Sequence, residues 1–361
     1  MRKIKFILLL TFSYNVFAAS IIDDLKFDLS GGYHYSSWTP SESLKNKIVT
    51  YKTEGLQTVN GSIATTYKGV PFIYFNYERP VEDNEKQKSI YERNRTVNPG
   101  REKFAIGLSL ESIGRHLHFT EFWWRLLFSG RFIHSTELFY GNAKAEQNFA
   151  YVASGTTVTP QGDGTVTFSN LERIYQGEAV SFVTEFKEYS LSFAWPWEKS
   201  KWPWNGTDPF FNIRLGAYSV WWTRPSDYDR TWRTVGDNLI IVYDTEVTSS
   251  GGELIVESSD YKSKGFNFYL NLRWGLFNDV TNAVSRNFKE KWGKDLYYGS
   301  YVANFWYNFY FGNSEKKGLY ATIGAIFERR VFTTELHPFE GGVNREDMFK
   351  LYVNIGHIFG L

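Results

Sequence analysis

Two short clusters in the sequence gather residue types that do chemistry. Glu111, His116 and His118 flank the pair Ile113 and Gly114. With that pair as a hairpin turn, Glu111 lies opposite His116 and Ser109 opposite His118. All four then share one face, while Leu108, Leu110, Leu117 and Phe119 share the other. One carboxylate beside two imidazoles suits a metal ion or a pH-sensitive constriction. No further strong ligand is identified, so an ordinary polar group is the favoured reading and neither metal nor cofactor is expected. His134, Ser135 and Glu137 form the second cluster and invite a hydrolase reading. On a strand, successive side chains point to opposite faces, so His134 is separated from Ser135 and Glu137 and the local pair cannot serve as base and nucleophile. No catalytic residue is assigned and no enzyme is expected.

A further set of charged residues sits on the polar faces of alternating segments: Arg214, Arg273, Glu328 and Arg330. Within a barrel they either line a passage and set its ion preference, or pair with one another and fill the interior. The segment "ERNRT", at residues 92–96, matches a short glycosylation pattern that also occurs by chance.

The elements that must position these residues are strands. In "KGFNFYLNLRWGLF", residues 264–277, Phe266, Phe268, Leu270, Leu272, Trp274 and Leu276 alternate with Asn267, Tyr269, Asn271, Arg273 and Gly275. A period of two is the signature of a β-strand. Near the start, Leu25, Phe27, Leu29, Tyr33 and Tyr35 alternate with Lys26, Asp28, Ser30 and His34. At the far end, Phe349, Leu351, Val353, Ile355 and Phe359 alternate with Lys350, Tyr352, Asn354, Gly356 and Gly360. Similar segments cover residues 72–77, 104–111, 117–123, 132–140, 180–195, 211–222, 296–311 and 319–331. Residues 180–195 change phase, from Val180, Phe182 and Phe186 to Tyr189, Leu191, Phe193 and Trp195, which a bulge near Lys187 and Glu188 would realign. Residues 117–140 read as one long strand or as two. Ser249–Gly252 reads as the turn of a hairpin within 223–264. One short loop helix is expected from Asp279, as N-cap, to Gly293.

Composition limits what this sheet can be. Of 361 residues, 31 are Phe, 24 Tyr and 13 Trp, more aromatic surface than a compact aqueous core uses. Net charge is +1, so no global field steers nucleic acid toward the chain. The absence of Cys removes disulfides, thiolate metal sites and Cys nucleophiles. Arg2, Lys3 and Lys5 precede an apolar run at residues 6–10, and small residues follow at Ala18 and Ala19. Residues 1–18 are therefore expected to be a cleavable signal peptide and 19–361 a single β-domain.

A soluble sandwich would bury its oily faces against each other and present Lys and Glu to water. Here the polar faces carry Asn, Gly, Tyr, Ser and Thr, with a few Arg and Glu, and Lys is concentrated in loops. A closed barrel with its oily face in lipid and its polar face around a wet lumen fits better, since no backbone group can stay unpaired in hydrocarbon. Trp38, Trp195, Trp221 and Trp222 stand at the ends of alternating segments, where an aromatic girdle is expected. The signal peptide, the aromatic strands of about ten residues, the long polar loops and the terminal strand "FKLYVNIGHIFGL" together resemble the bacterial outer-membrane β-barrel proteins. The last residue is Leu361, where that class usually ends in an aromatic. The resemblance implies a closed antiparallel transmembrane barrel of about 12 strands (10 to 14), placed in the bacterial outer membrane by the barrel-assembly machinery and surrounded by its lipid. It does not reach catalysis, because outer-membrane lipid deacylases space His and Ser two apart on one face. The expected function is a porin-like channel for small solutes or ions. The rivals are a non-conducting barrel acting through its loops as adhesin or assembly component and, third, an outer-membrane hydrolase.

Overall fold

A computed structural model of the chain describes residues 25–44, 47–67, 70–81, 100–111, 122–151, 156–163, 166–194, 211–224, 231–235, 238–242, 245–258, 264–280, 293–312, 318–336 and 342–360. In chain order its strands are β1 (Leu25–Leu44), β2 (Lys47–Tyr67), β3 (Val70–Pro80), β4 (Gly100–Ser109), β5 (Gly130–Ala145), β6 (Phe149–Tyr151), β7 (Thr157–Pro160), β8 (Val166–Ser169) and β9 (Glu172–Ile174). They continue as β10 (Ala179–Ala194), β11 (Phe211–Arg224), β12 (Thr231–Val235), β13 (Asn238–Val242), β14 (Thr245–Ser258), β15 (Gly265–Val280), β16 (Gly293–Phe311), β17 (Gly318–Leu336) and β18 (Gly342–Gly360). Twelve of these form one sheet, in the ring order β1, β18, β17, β16, β15, β14, β11, β10, β5, β4, β3, β2. The ring closes because β1 pairs antiparallel with β18, from Lys26↔Gly360 to Leu44↔Gly342, and with β2 on its other edge. Closure leaves no unpaired sheet edge, the condition for a β-protein to cross a bilayer.

The oily faces point outward. Phe266 is 56% exposed, Leu272 50%, Val353 47% and Phe349 45%, while their polar neighbours Asn267, Asn271, Lys350 and Tyr352 are buried inside the cylinder. This is the inverse of a soluble barrel, and lipid is the solvent that such an exterior fits. The first described residue of β1, Leu25, and the last of β18, Gly360, lie at one end of the barrel, where β2 also passes to β3, β14 to β15 and β16 to β17. The long connections 81–99, 146–178 and 225–244 lie at the other end. In outer-membrane barrels these are the periplasmic and extracellular ends respectively. At the extracellular end two connections pair with each other: β13, β12, β6 and β9 form a four-stranded sheet in which Arg233↔Tyr151 joins one loop to the other.

Several sequence expectations change. Of the strand expected at 117–123, residues 117–121 lie outside the described residues and Phe122 and Trp123 are helical, while Ser109 on β4 pairs with Arg131 on β5 and Leu110 N–H donates to Gly130 O at 2.8 Å. The described residues between β4 and β5, at the periplasmic end, include a short helix, α1 (Phe122–Leu127). The expected helix at 279–293 falls mostly outside the described residues, and its first two positions, Asp279 and Val280, belong to β15. Ser249–Gly252 is no turn: it lies within β14, paired to Ala217–Val220 of β11. The paired glycines instead make room there, since the Trp274 indole lies over Gly252 and a bulge at Ser250/Gly251 adjusts the register with β15. No bulge interrupts β10 at Lys187 and Glu188, because its pairing with β5 runs unbroken from Ala179↔Lys144 to Phe193↔Gly130. The phase change there has another cause, which lies inside the barrel.

Candidate functional site

Along β10, Thr184, Phe186, Glu188, Ser190 and Ser192 all face the lumen. Phe186 breaks the hydrophobic parity of the strand by pointing inward. It packs with Tyr218, Val220, Trp222, Val247 and Tyr298 into an apolar cluster in the extracellular half of the lumen. Trp38 stacks on Phe139 in the same half, with ring centroids 5.2 Å apart. Trp38 and Trp222 are therefore interior plugs and not girdle residues. Their numbering parity carries the reason: Trp38 alternates in step with His34 and Ser36, and Trp222 with Arg214 and Tyr218, all of which point inward. Trp221 faces outward, its indole N–H donating to Glu246 at 2.7 Å and the Lys187 ammonium lying over its ring. Trp195 lies outside the described residues. The outward aromatic rim is built mainly from Phe27, Phe266, Phe309, Phe311 and Phe359 toward the periplasmic end and Tyr33, Tyr35 and Tyr77 higher up. Trp123 and Trp124 of α1 are also exposed at the periplasmic end.

Beneath the apolar cluster lies a layer of paired charges. Glu137 on β5 accepts from Arg101 Nε at 2.8 Å and from Arg330 Nη2 at 2.9 Å, with Lys103 Nζ 3.5 Å away. β5 and β17 stand six places apart in a ring of twelve, so the Glu137 to Arg330 bond crosses the full diameter of the lumen. Arg330 also meets Glu328 at 2.6 Å and Glu346 at 3.7 Å, and its guanidinium lies over the Phe186 ring at 3.9 Å. Next to it, Glu78 on β3 accepts from Lys350 at 2.7 Å and from Thr58 Oγ1 at 2.7 Å, with His34 Nδ1 at 3.4 Å and Arg101 at 3.6 Å. Arg101 is 1% exposed and Glu137 3%. Charges taken this far from water persist only when paired and hydrogen-bonded, as these are.

A second group of pairs lies toward the periplasmic end. Arg273 bonds Glu188 at 2.6 Å and Glu253 at 3.1 Å, while Arg131 reaches across to Glu257 at 2.7 Å. Ser190 Oγ also donates to Glu253. Arg214, fully buried, donates to Glu111 at 2.9 Å and to the Ser129 carbonyl. Between the two groups is a cavity of about 520 Å³.

Of the residues that the sequence singles out, Arg214, Arg273, Glu328 and Arg330 all face the lumen. Glu328 pairs with Arg330 and Glu111 pairs with Arg214. His116 and His118 lie outside the described residues. His134 faces outward, stacked on Tyr189 at 4.4 Å with Nδ1 2.9 Å from the Glu188 carbonyl, while Ser135 and Glu137 face inward. Among the described residues no group of three His, Asp or Glu side chains is placed to hold a metal ion. Sequence reasoning did not assemble Glu78, Arg101, Glu137, Glu188, Glu253, Glu257 and Lys350. For Glu137 and Lys350 the alternation already gave the face, while Arg101 lies ahead of the alternating segment 104–111.

Solved structures with this architecture are bacterial outer-membrane β-barrels. The outer-membrane protease OmpT from Escherichia coli aligns with 94% of this chain and 97% of its own, at 11% identity and a TM-score of 0.31. The toluene transporter TodX of P. putida aligns over 94% and 91%, at 10% identity and a TM-score of 0.29. The translocator domain of the autotransporter NalP from Neisseria meningitidis aligns over 92% and 88%, at 8% identity and a TM-score of 0.35. No family model matches the chain, and no curated protein does either.

Proposed function

We propose that the protein is a non-conducting outer-membrane barrel that acts through its extracellular loops, as an adhesin or an assembly component, and carries out no catalysis. The observation behind this reading is the ion pair between Glu137 and Arg330, which spans the lumen at 2.9 Å beneath the aromatic cluster. An open porin keeps the charged side chains of its constriction in water. Here the corresponding groups are buried, mutually neutralised and capped by apolar side chains. The extracellular sheet formed by β13, β12, β6 and β9 supports the same reading, because it makes an ordered surface out of two separate loops.

A channel for small solutes or ions keeps one observation in its favour. The 520 Å³ cavity below the charged layer has the position of the lower half of a passage that would open if the layer parted. Planar-bilayer recording of the folded barrel separates the two readings. Silence across both polarities fits the closed barrel, and steady ohmic steps from the wild-type protein would overturn it in favour of the channel.

A further inference from the structure

We infer that the periplasmic half of the lumen is a binding chamber for a neutral saccharide of one or two rings. The inference does not depend on what the loops do. The chamber is the 520 Å³ cavity beneath the charged layer, within the size range of about 300–1,000 Å³ typical of small-molecule sites.

Three features of its lining point to one ligand chemistry. The first is unmet hydrogen bonding. Asn60 Oδ1, Asn271 Oδ1, Asn354 Oδ1 and His34 Nε2 are all buried at the wall with no partner, and Asn271 and His34 are only 5% and 6% exposed as whole residues. Asn60 and Asn354 are neighbours in one row across the sheet, since both are paired with Gly32 of β1. Gly32 has no side chain to cover them, and any Cβ there would collide with Asn354. An amide has an acceptor at one corner and donors at the other, so turning it over exchanges one unmet group for another. A buried polar atom left unpaired is unfavourable, and a ligand with several hydroxyl groups relieves that cost at each position.

The second feature is aromatic. Tyr74, Tyr269, Trp306 and Tyr352 contribute to the wall. Two of them are already anchored: Tyr352 donates to Asn304 at 3.0 Å, and Tyr269 accepts from Asn271 at 3.2 Å. Flat faces beside amide groups match a pyranose, whose C–H faces are apolar and whose rim carries hydroxyls. The third feature is charge balance. Five carboxylates and five cationic side chains line the cavity, and the best placed are engaged with each other, as in Arg273 with Glu188, Arg131 with Glu257 and Lys350 with Glu78. A charged ligand would have to break such a pair, whereas a neutral polyol adds hydrogen bonds to pairs that stay intact. A wholly apolar ligand would leave the amides unmet.

The test uses the full barrel, folded in lauryldimethylamine oxide because that detergent carries no sugar. Glucose, maltose, sucrose and trehalose are titrated by saturation-transfer NMR, with citrate and spermidine as charged comparisons. Saturable binding of at least one sugar with a dissociation constant of about 1 mM or tighter is expected, with none for citrate or spermidine. The double variant Asn60→Ala/Asn354→Ala is expected to weaken binding by about tenfold or more while keeping heat-modifiable migration on gels. Asn271→Ala, from the opposite wall, decides the matter where the double variant does not fold. Absence of saturable sugar binding, preference for citrate or spermidine, or unchanged sugar affinity in folded variants would each overturn the assignment.

Discussion

Replacing Glu137 tests whether the lumen is dry and closed at its charged layer. Glu137→Ala removes the carboxylate that bonds both Arg101 and Arg330 and leaves two buried guanidinium groups short of a partner. Breaking a buried pair in this way costs about 3–5 kcal/mol. Here the cations keep some compensation, Arg101 from Glu78 at 3.6 Å and Arg330 from Glu328 at 2.6 Å and Glu346 at 3.7 Å. That places the expected loss near the lower bound, at about 3 kcal/mol. Glu137→Gln keeps the shape and an acceptor oxygen while losing the charge, so its cost should be smaller, about half as large. Urea unfolding of the barrel in lipid vesicles, followed by tryptophan fluorescence, measures both. Raising salt from about 0.1 M to 1 M shortens the screening length from about 10 Å to 3 Å, yet it should change neither value much, because the groups are out of reach of solvent ions. A loss below about 1 kcal/mol for the alanine variant, the worth of a solvent-exposed pair, would mean that water fills this layer, and the closed-lumen reasoning would fail with it.

Four further outcomes follow from the same geometry. Leu272→Arg sets a charge on the outward face at the middle of β15 and should cost about 2–4 kcal/mol when the barrel is folded into lipid, read as a lower folded fraction on heat-modifiability gels. Gly356→Ala drives a methyl group into the ring of Tyr320, whose hydroxyl is held by Asp28 at 2.7 Å. It should cost about 1–3 kcal/mol in the same urea assay, whereas Gly61→Ala, with open space around its Cβ, should cost much less. Single-Trp proteins report sidedness: lipids brominated on their acyl chains should quench Trp274, on the outer face of β15, and spare Trp38 and Trp222. Lys350→Met leaves Glu78 buried with its closest cation gone and should destabilise by about 3 kcal/mol, and the double variant Lys350→Met/Glu78→Gln should recover part of that in a mutant cycle.

The barrel itself was legible in the sequence because a strand in lipid has only two faces and each must match its solvent. Phe266 through Leu276 and Phe349 through Phe359 declare their faces by parity alone, closure follows from the need to leave no edge, and the count of about twelve rests on the resemblance to bacterial barrels. The interior was harder to read for the opposite reason: a filled lumen accepts Phe186 and Trp222 as readily as Arg330 and Glu137, so hydrophobicity no longer marks inside from outside. The supposed bulge in β10 and the misplaced Trp38 both come from that ambiguity. Partners across the ring, such as Glu137 and Arg330, are 193 residues apart in the chain, and no local spacing reports them. Phe122 and Trp123 read as the end of an alternating strand yet are helical, because α1 lies beyond the point where Ser109 already pairs with Arg131, a long-range register that local alternation does not report.

The seam between β6 and β12 carries a consequence for anyone handling the exterior of this molecule. The two strands come from different connections and share backbone hydrogen bonds, so whatever recognises that patch reads an epitope assembled from distant parts of the polypeptide. Antibodies raised to either peptide alone would miss it. Transplanting one of the two segments onto another scaffold would carry over half a ladder with its bonding edge bare, and excising one would strip the other of its template.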